Sequence, residues 1–446
     1  MRFQSLSMTH VCLSSIVSVV PCHRGYIPIA SQLGRQNRNV ATRNQRGDNE
    51  LSGAWNEKIE RRVLSLNARN RTVCPRAHQE LHMNAGLQTM DVNNSVTRQI
   101  WRSDKPGKIS DLKLVTDELA APAAGEVQVA VKAVGLNFAD VFTCLGLYSA
   151  SPKGVYTPGL EFAGVVAAVG ENVESVKVGD RVLGLTRFGA YASHLNVSPK
   201  YLRPCPSDWS YAEAAAYSVQ ALTMFYALRE LGNVQEGQTV LIHSAAGGCG
   251  TFALGICKQL KAKVVATVGS EDKVKYLVDY WGADFLSYEQ IIVRKGGGKI
   301  FKDQLAANLS TLGVDGFDCI IDAVAGDYFH PGYESLTRGG RHVVYGASNF
   351  TPTGDKPNWL TLAWKYIRRP VIDPMQMMSD NKSVMAFNLI WMFDKVEKME
   401  RFFEGLQSLN LRAPLVGHTF PFSKALDALR TFQTGKTTGK VVLVLD

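Results

Sequence analysis

The sequence predicts an α/β fold in which a doubly wound parallel sheet is joined to a small β-barrel. Three observations carry this. Thr239–Gly250 reads as a buried strand running into a glycine-rich turn and then a helix. The runs Lys263–Val268, Gly316–Gly326 and Arg341–Gly346 are nearly continuous in apolar residues and alternate with helical periodicity, as parallel strands covered on both faces do. Between Glu126 and Gly184, short alternating strands separated by Gly- and Pro-containing turns have the spacing of a barrel.

Composition limits the function classes. The chain has 446 residues, 46% of them hydrophobic and 20% charged, enough for two or three domains with large cores. No apolar run reaches the roughly eighteen residues of a membrane-spanning helix. The net charge is +9, but residues 1–89 hold 12 Lys+Arg against 5 Asp+Glu, while the other 357 residues hold 37 against 35. The basic excess therefore belongs to the leader, and the body offers no footprint for nucleic acid. The eight cysteines form no Cys-x-x-Cys pair and no zinc-like cluster, which points to free thiols in a reducing compartment.

The leader, residues 1–89, is rich in Arg, Ser, Asn and Gln and carries no acid before Asp48. That composition fits a transit segment for a mitochondrion or plastid. A secretory signal around Val11–Val20 and a plain extension preceding a start at Met83 or Met90 stand as alternatives. Without a targeting role for the leader, the expected location is cytoplasmic.

In the first folded part, residues 97–217, Glu126–Val134, Gly164–Gly170 and Asp180–Gly184 are the strand candidates. The motifs Pro158-Gly-Leu-Glu-Phe-Ala-Gly-Val-Val166, Val169-Gly-Glu-Asn-Val173 and Val178-Gly-Asp-Arg-Val182 lie in this part. With the glycine-rich turn that follows, they resemble the medium-chain dehydrogenase/reductase superfamily. The resemblance runs from Ser110 to the C-terminus and implies a GroES-like barrel, residues 97–217 and 397–446, around a Rossmann domain, residues 218–396. The zinc-dependent branch needs Cys and His where this chain has Asn137 and Leu160, and its four-cysteine lobe is missing after Gly184. Such a site cannot hold the metal. What remains resembles the zinc-free quinone oxidoreductase and enoyl reductase branch. That likeness places Asn137 beside the nicotinamide and Tyr148 in the substrate pocket as catalytic candidates. The alternative for Tyr148 is a boundary aromatic that closes the barrel, and Asp140 reads better as a supporting or turn-capping carboxylate than as an acid.

Ser210–Arg229 reads as one long helix between the domains, with Thr223 near the cofactor by resemblance or bonded to its own backbone. The strand, turn, helix and strand around Ala245-Ala246-Gly247-Gly248-Cys249-Gly250 form the unit that cradles a dinucleotide pyrophosphate. NAD sites place a carboxylate after the second strand; here Gly269-Ser270 and Lys273 leave room and charge for a 2′-phosphate, so the expected cofactor is NADPH. By resemblance Tyr288 packs at the adenosine end, Gly346 ends a strand at the nicotinamide, Phe387-Asn388 approaches it, and Lys440 reaches a cofactor phosphate. Lys273 and Lys440 read otherwise as solvated charges. His243, at the end of the first strand, reads as a buried histidine rather than a proton carrier.

Lys356–Lys365, Asp373–Met378 and Asn381–Leu389 resemble the vesicle amine transport protein-like subgroup of that branch. Their Trp and Met content suits a homodimer surface or a peripheral membrane contact. The expected activity is hydride transfer from NADPH to a small-molecule quinone or enone. An NADPH-binding, membrane-associated scaffold is the rival. A short-chain dehydrogenase is excluded, because none of the fifteen tyrosines has Lys four positions on.

Overall fold

The computed structural model describes residues 95–446, and the leader with its targeting expectation lies outside them. The antiparallel hairpin β1 (Val96–Arg102) and β2 (Lys113–Leu119) leads into the barrel. The barrel strands are β3 (Val127–Gly135), β4 (Glu161–Val169), β5 (Arg181–Leu185), β6 (His194–Val197) and β7 (Leu202–Pro204), with helix α1 (Phe138–Cys144) between β3 and β4. Val127, Val129 and Val131 alternate along β3 and meet Phe162, Val182 and Leu195 in one apolar core.

Two helices, α2 (Tyr211–Ala215) and α3 (Ser218–Phe225), lead to the second sheet. Its first part is β8 (Thr239–Ile242), α4 (Gly248–Gln259), β9 (Lys263–Val268), α5 (Asp272–Trp281), β10 (Ile291–Val293), α6 (Gly298–Leu312) and β11 (Phe317–Asp322). The rest is α7 (Phe329–Glu334), β12 (Leu336–Val344), α8 (Trp359–Ile367), α9 (Pro374–Asp380), β13 (Ser383–Ala386) and α10 (Val396–Ser408). The strands are all parallel in the order β10-β9-β8-β11-β12-β13. The chain thus winds outward from β8 in one direction, then returns and winds the other way from β11. Ligands of such sheets bind beyond the carboxyl ends at that switch point. Finally β14 (Val416–Pro421), α11 (Ala425–Gln433) and β15 (Lys440–Val444) rejoin the barrel sheet, β15 pairing with β3. The expected class, a doubly wound Rossmann sheet plus a GroES-like barrel, is borne out.

Three expectations are corrected. The third strand of the parallel sheet is β10, three residues long and too short to show a period; Gly316–Gly326 contains the fourth, β11. The long helix is broken at Ala216–Tyr217, where the Glu161 carboxylate accepts from the Val219 amide at 2.8 Å and caps the start of α3. A carboxylate there also suits the helix dipole. The return to the barrel comes at β14, not at residue 397, because α10 buries Met399, Phe402, Phe403 and Leu406 in the core of the parallel sheet.

Candidate active site between the two lobes

The glycine-rich turn begins where β8 ends. Ser244 takes a left-handed φ of 54°, which swings the chain out of the sheet and into α4. A Cβ on Gly250 would stand 2.4 Å from the Ser244 carbonyl oxygen, so only glycine lets helix and turn approach this closely. No side chain caps α4, so its first amides, from Gly248 and Cys249 onward, are donors without a protein partner in the helix. The turn is tied to the barrel as well: the Gly439 amide donates to the Ala246 carbonyl at 2.7 Å. Burial pushes the Cys249 thiol up to about 12.

Beside the turn lies a buried polar knot. The Lys440 ammonium meets the Glu161 carboxylate at 2.6 Å, both side chains almost wholly buried. It also donates to Asn137 Oδ1 at 3.0 Å, while Gln220 Nε2 donates to the same oxygen at 2.7 Å. Asn137 Nδ2 donates to the Gly135 carbonyl at 3.2 Å and to Glu161 Oε1 at 3.0 Å. Lysine can only donate, so the amide orientation of Asn137 is forced, and all four of its hydrogen-bonding positions are filled by protein. Asn137 therefore holds the knot together instead of offering a free donor to a substrate oxygen. Lys440 likewise spends its charge on Glu161, and only its stem flanks the turn, 3.5 Å from where a Gly248 Cβ would stand. One buried atom here is left over: Gln220 Oε1 has no partner among the described residues.

Asp140 supports this corner from below. Its carboxylate accepts from the Asn137 amide at 2.8 Å, the Gly159 amide at 3.2 Å and the Tyr191 hydroxyl at 3.3 Å. Burial lifts its pKa to about 7 against the opposing pull of those amides. It caps a turn, as its spacing suggests. The position where a zinc-dependent relative would present histidine holds Leu160, an apolar side chain that is buried.

Across the cleft the structure joins two expected site residues from different lobes. The Tyr148 hydroxyl donates to Asn388 Oδ1 at 2.9 Å. Burial raises the phenol to about 12, so it keeps its proton at neutral pH and acts as a donor. Phe387 follows β13 and stands edge-on against Tyr226 at 4.9 Å. Gly346 packs against the backbone of Ala323, 2.9 Å from its oxygen at the Cβ position, which keeps the end of β12 level with β11.

The residues expected to choose the cofactor are placed differently. Tyr288 precedes β10 in a short turn and is exposed, so it lies at the amino edge of the sheet, opposite the site. The residue just past β10 is Arg294, whose amide donates to the Val268 carbonyl. Its guanidinium reaches Thr267 Oγ1 at 3.2 Å and Ser244 Oγ at 3.4 Å, over the carboxyl ends of β9 and β8. Sequence reasoning missed it because the three-residue strand before it went unread. The Ser270 hydroxyl turns to Asp272 and holds that carboxylate below its usual range. Lys273 is buried, its ammonium donating to the carbonyls of Gly435 at 2.8 Å and Thr437 at 2.9 Å. Gly269 is open, with nothing near its Cβ position. The Thr223 hydroxyl is spent on its own helix, donating to Val219 at 2.6 Å. His243 is fully buried, and burial drives its pKa down to about 3, so it is uncharged near neutral pH.

Comparison with known proteins agrees with this fold. Residues 123–207 match the alcohol dehydrogenase GroES-like domain and residues 265–443 the zinc-binding dehydrogenase family. The chain is 33% identical over 335 residues to the synaptic vesicle membrane protein VAT-1 homolog of Rattus norvegicus, covering 73% of this chain and 78% of that protein. Among solved structures, Escherichia coli quinone oxidoreductase complexed with NADPH superposes with a TM-score of 0.65 at 25% identity, over 78% of this chain and all of that one. CurK enoyl reductase gives 0.65 at 26% identity, over 78% of this chain and 99% of that one.

Proposed function

The chain belongs to the medium-chain dehydrogenase/reductase superfamily, in its zinc-free quinone oxidoreductase and enoyl reductase branch, and on that footing we propose that it is an NADPH-dependent reductase of quinones or α,β-unsaturated carbonyls. The observation that carries this is that the glycine-rich turn, after β8, and the Tyr148–Asn388 contact, after β13, both stand at the carboxyl edge of the parallel sheet. The residues present fit the cofactor: the close-packed turn presents free amides to a pyrophosphate, and Gln220 Oε1 is a buried acceptor waiting for a donor. Arg294 is the cation that supports NADPH over NADH, since a guanidinium binds a phosphate through charge-assisted bonds. Lys273 shapes the site indirectly by holding the Gly435–Thr437 loop against α5.

NADPH, when bound, supplies the hydride for a quinone ring or for the β-carbon of an enone. The protein's part is positioning and electrostatics in a cleft shielded from water. The Tyr148 hydroxyl, on turning from Asn388 Oδ1, donates toward the oxygen on which charge develops, and the final proton comes from solvent. Asn137 and Asp140 keep the barrel side of the cleft in place without touching that oxygen.

The test is NADPH consumption by the purified protein with a panel of quinones and enones, with NADH as the comparison. Turnover of at least one acceptor with NADPH preferred is the expected result. Tight NADPH binding with no turnover of any acceptor overturns the catalytic part and leaves the scaffold reading.

A further inference from the structure

Most polar groups beside the cleft are spent on the protein, but the guanidinium of Arg187 is not. This residue stands in the loop after β5, and the loop is pinned on both sides of it. The Thr186 amide donates to the Leu160 carbonyl at 2.9 Å, the Thr186 hydroxyl to the Phe188 carbonyl at 2.6 Å, and the Gly189 amide to the Thr157 carbonyl at 3.0 Å. The guanidinium lies over the Trp391 ring, 5.4 Å from its centre, in the turn Leu389–Met392 that follows β13. The Trp391 amide donates to the Asn388 carbonyl at 3.2 Å, so Arg187 stands one turn from the Tyr148–Asn388 contact. Its charge reaches the Tyr148 phenol as well, where it opposes the rise that burial causes.

Among the described residues, the only ionic partner of Arg187 is Asp394 at 3.7 Å, which is longer than a hydrogen bond. The two side chains are 41% and 76% exposed, and a pair so open to water contributes little. Arg181 and Arg203, on β5 and β7, each donate to two backbone carbonyls, whereas Arg187 makes no such bond. Five N–H donors in a planar fork, backed by an indole and set beside the cleft, match the geometry of an oxyanion. We propose that Arg187 receives a carboxylate or phosphate carried by the hydride acceptor, so that the acceptors are anionic quinones or enones. The inference rests on the reading of the cleft as an acceptor site. Asp394 is then a placeholder, holding the guanidinium until the acceptor's oxyanion makes the shorter, bidentate contact. If Arg187 served only to latch the two lobes through Asp394, removing either partner would have the same effect. An anion site predicts opposite effects.

The test is NADPH-dependent turnover of a benzoquinone carrying a propanoate chain, of its methyl ester and of the matching propyl phosphate; the saturated chain keeps the ring reactivity alike. Calorimetric titration of the corresponding hydroquinones into the NADP+ complex reads binding without turnover. Wild type, Arg187→Met, Arg187→Lys and Asp394→Asn are compared, with NADPH titration to verify folding. In wild type, kcat/KM should be at least about tenfold higher for an anionic acceptor than for the ester, the worth of a charge-assisted hydrogen bond, and the difference should lie in KM. The preferred anion identifies the group. That ratio should fall to about one in Arg187→Met, survive in part in Arg187→Lys, and rise by up to about fivefold in Asp394→Asn, where the competing carboxylate is gone. A wild type that treats anionic and neutral acceptors alike overturns the proposal. So does a ratio that falls in Asp394→Asn as it falls in Arg187→Met, which assigns the pair to a latch. If no acceptor turns over, the catalytic reading fails and the titration decides. Tighter, Arg187-dependent binding of an anionic hydroquinone then upholds the proposal, and equal binding of all three overturns it.

Discussion

Replacing Lys440 by Met tests whether the knot beside the glycine-rich turn holds the two lobes together. The substitution keeps the apolar stem against Gly248 and removes only the ammonium. Glu161 then keeps its bonds from the Val219 amide and Asn137 Nδ2, but its carboxylate stays buried with no cation 2.6 Å away. Breaking a buried pair on one side costs about 3–5 kcal/mol, and at about 2–4 °C per kcal/mol for a domain of this size the melting temperature falls by roughly 6–20 °C. A second change, Glu161→Gln, removes the stranded charge. With lysine gone, the amides of Asn137 and Gln220 are free to flip and pair with the new glutamine, so Glu161→Gln/Lys440→Met should recover most of the loss. Thermal melts and urea titrations of the two single variants and the double variant complete the cycle, with NADPH titration reporting on the turn. A Lys440→Met protein within about 1 kcal/mol of wild type, the range of an exposed pair, would refute the reasoning. So would a double variant no more stable than Lys440→Met alone.

Three further outcomes are expected. Asp140 titrates at about 7 in the folded chain against 3.8 for a free side chain, so the folded state holds the extra proton and stability should decline as pH rises from about 4 to about 7; melts of Asp140→Asn across that window should show the decline flattened, at the cost of one acceptor for the Asn137 and Gly159 amides. Tyr148→Phe should lower kcat/KM roughly ten- to hundredfold, the worth of one hydrogen bond to a charged oxygen, while NADPH affinity measured by fluorescence stays the same; unchanged turnover with every acceptor removes Tyr148 from the mechanism. Arg294→Met should weaken NADPH by a similar factor and leave NADH alone, whereas Lys273→Met should lower the melting temperature without changing that preference; the opposite pattern returns phosphate recognition to Lys273.

Much of the fold was legible because its signals are local. The strand and turn at Thr239–Gly250, the apolar strands at Lys263 and Arg341, and the alternation along Glu126–Val134 each declare themselves within a dozen residues. What failed was short or cooperative. Ile291–Val293 is too brief for a period to register, and Tyr288, which precedes it, lies at the edge of the sheet opposite the site. The break after Ala215 could not be read from helix formers, because a carboxylate 58 residues away caps the next helix. At the site, residue types marked the neighbourhood but not the duties. Asn137, Lys273 and Lys440 were each credited with a free polar group, and each spends it on the protein itself, while Thr223 bonds its own helix, one of the two readings its position allowed.

The sequence alone determined the class of the protein: a dinucleotide turn built of small residues, and a barrel lobe with Asn137 and Leu160 where a metal would need Cys and His. Those features follow from residue type at a position, since backbone approach and ligand chemistry depend on the side chain present. The tertiary structure alone decided which groups remain available. Tyr148 meets Asn388 from 240 residues away and Lys440 meets Asn137 from 303 away. A buried polar group must take a partner, and only the folded chain shows whether that partner is another part of the protein or is left for a ligand.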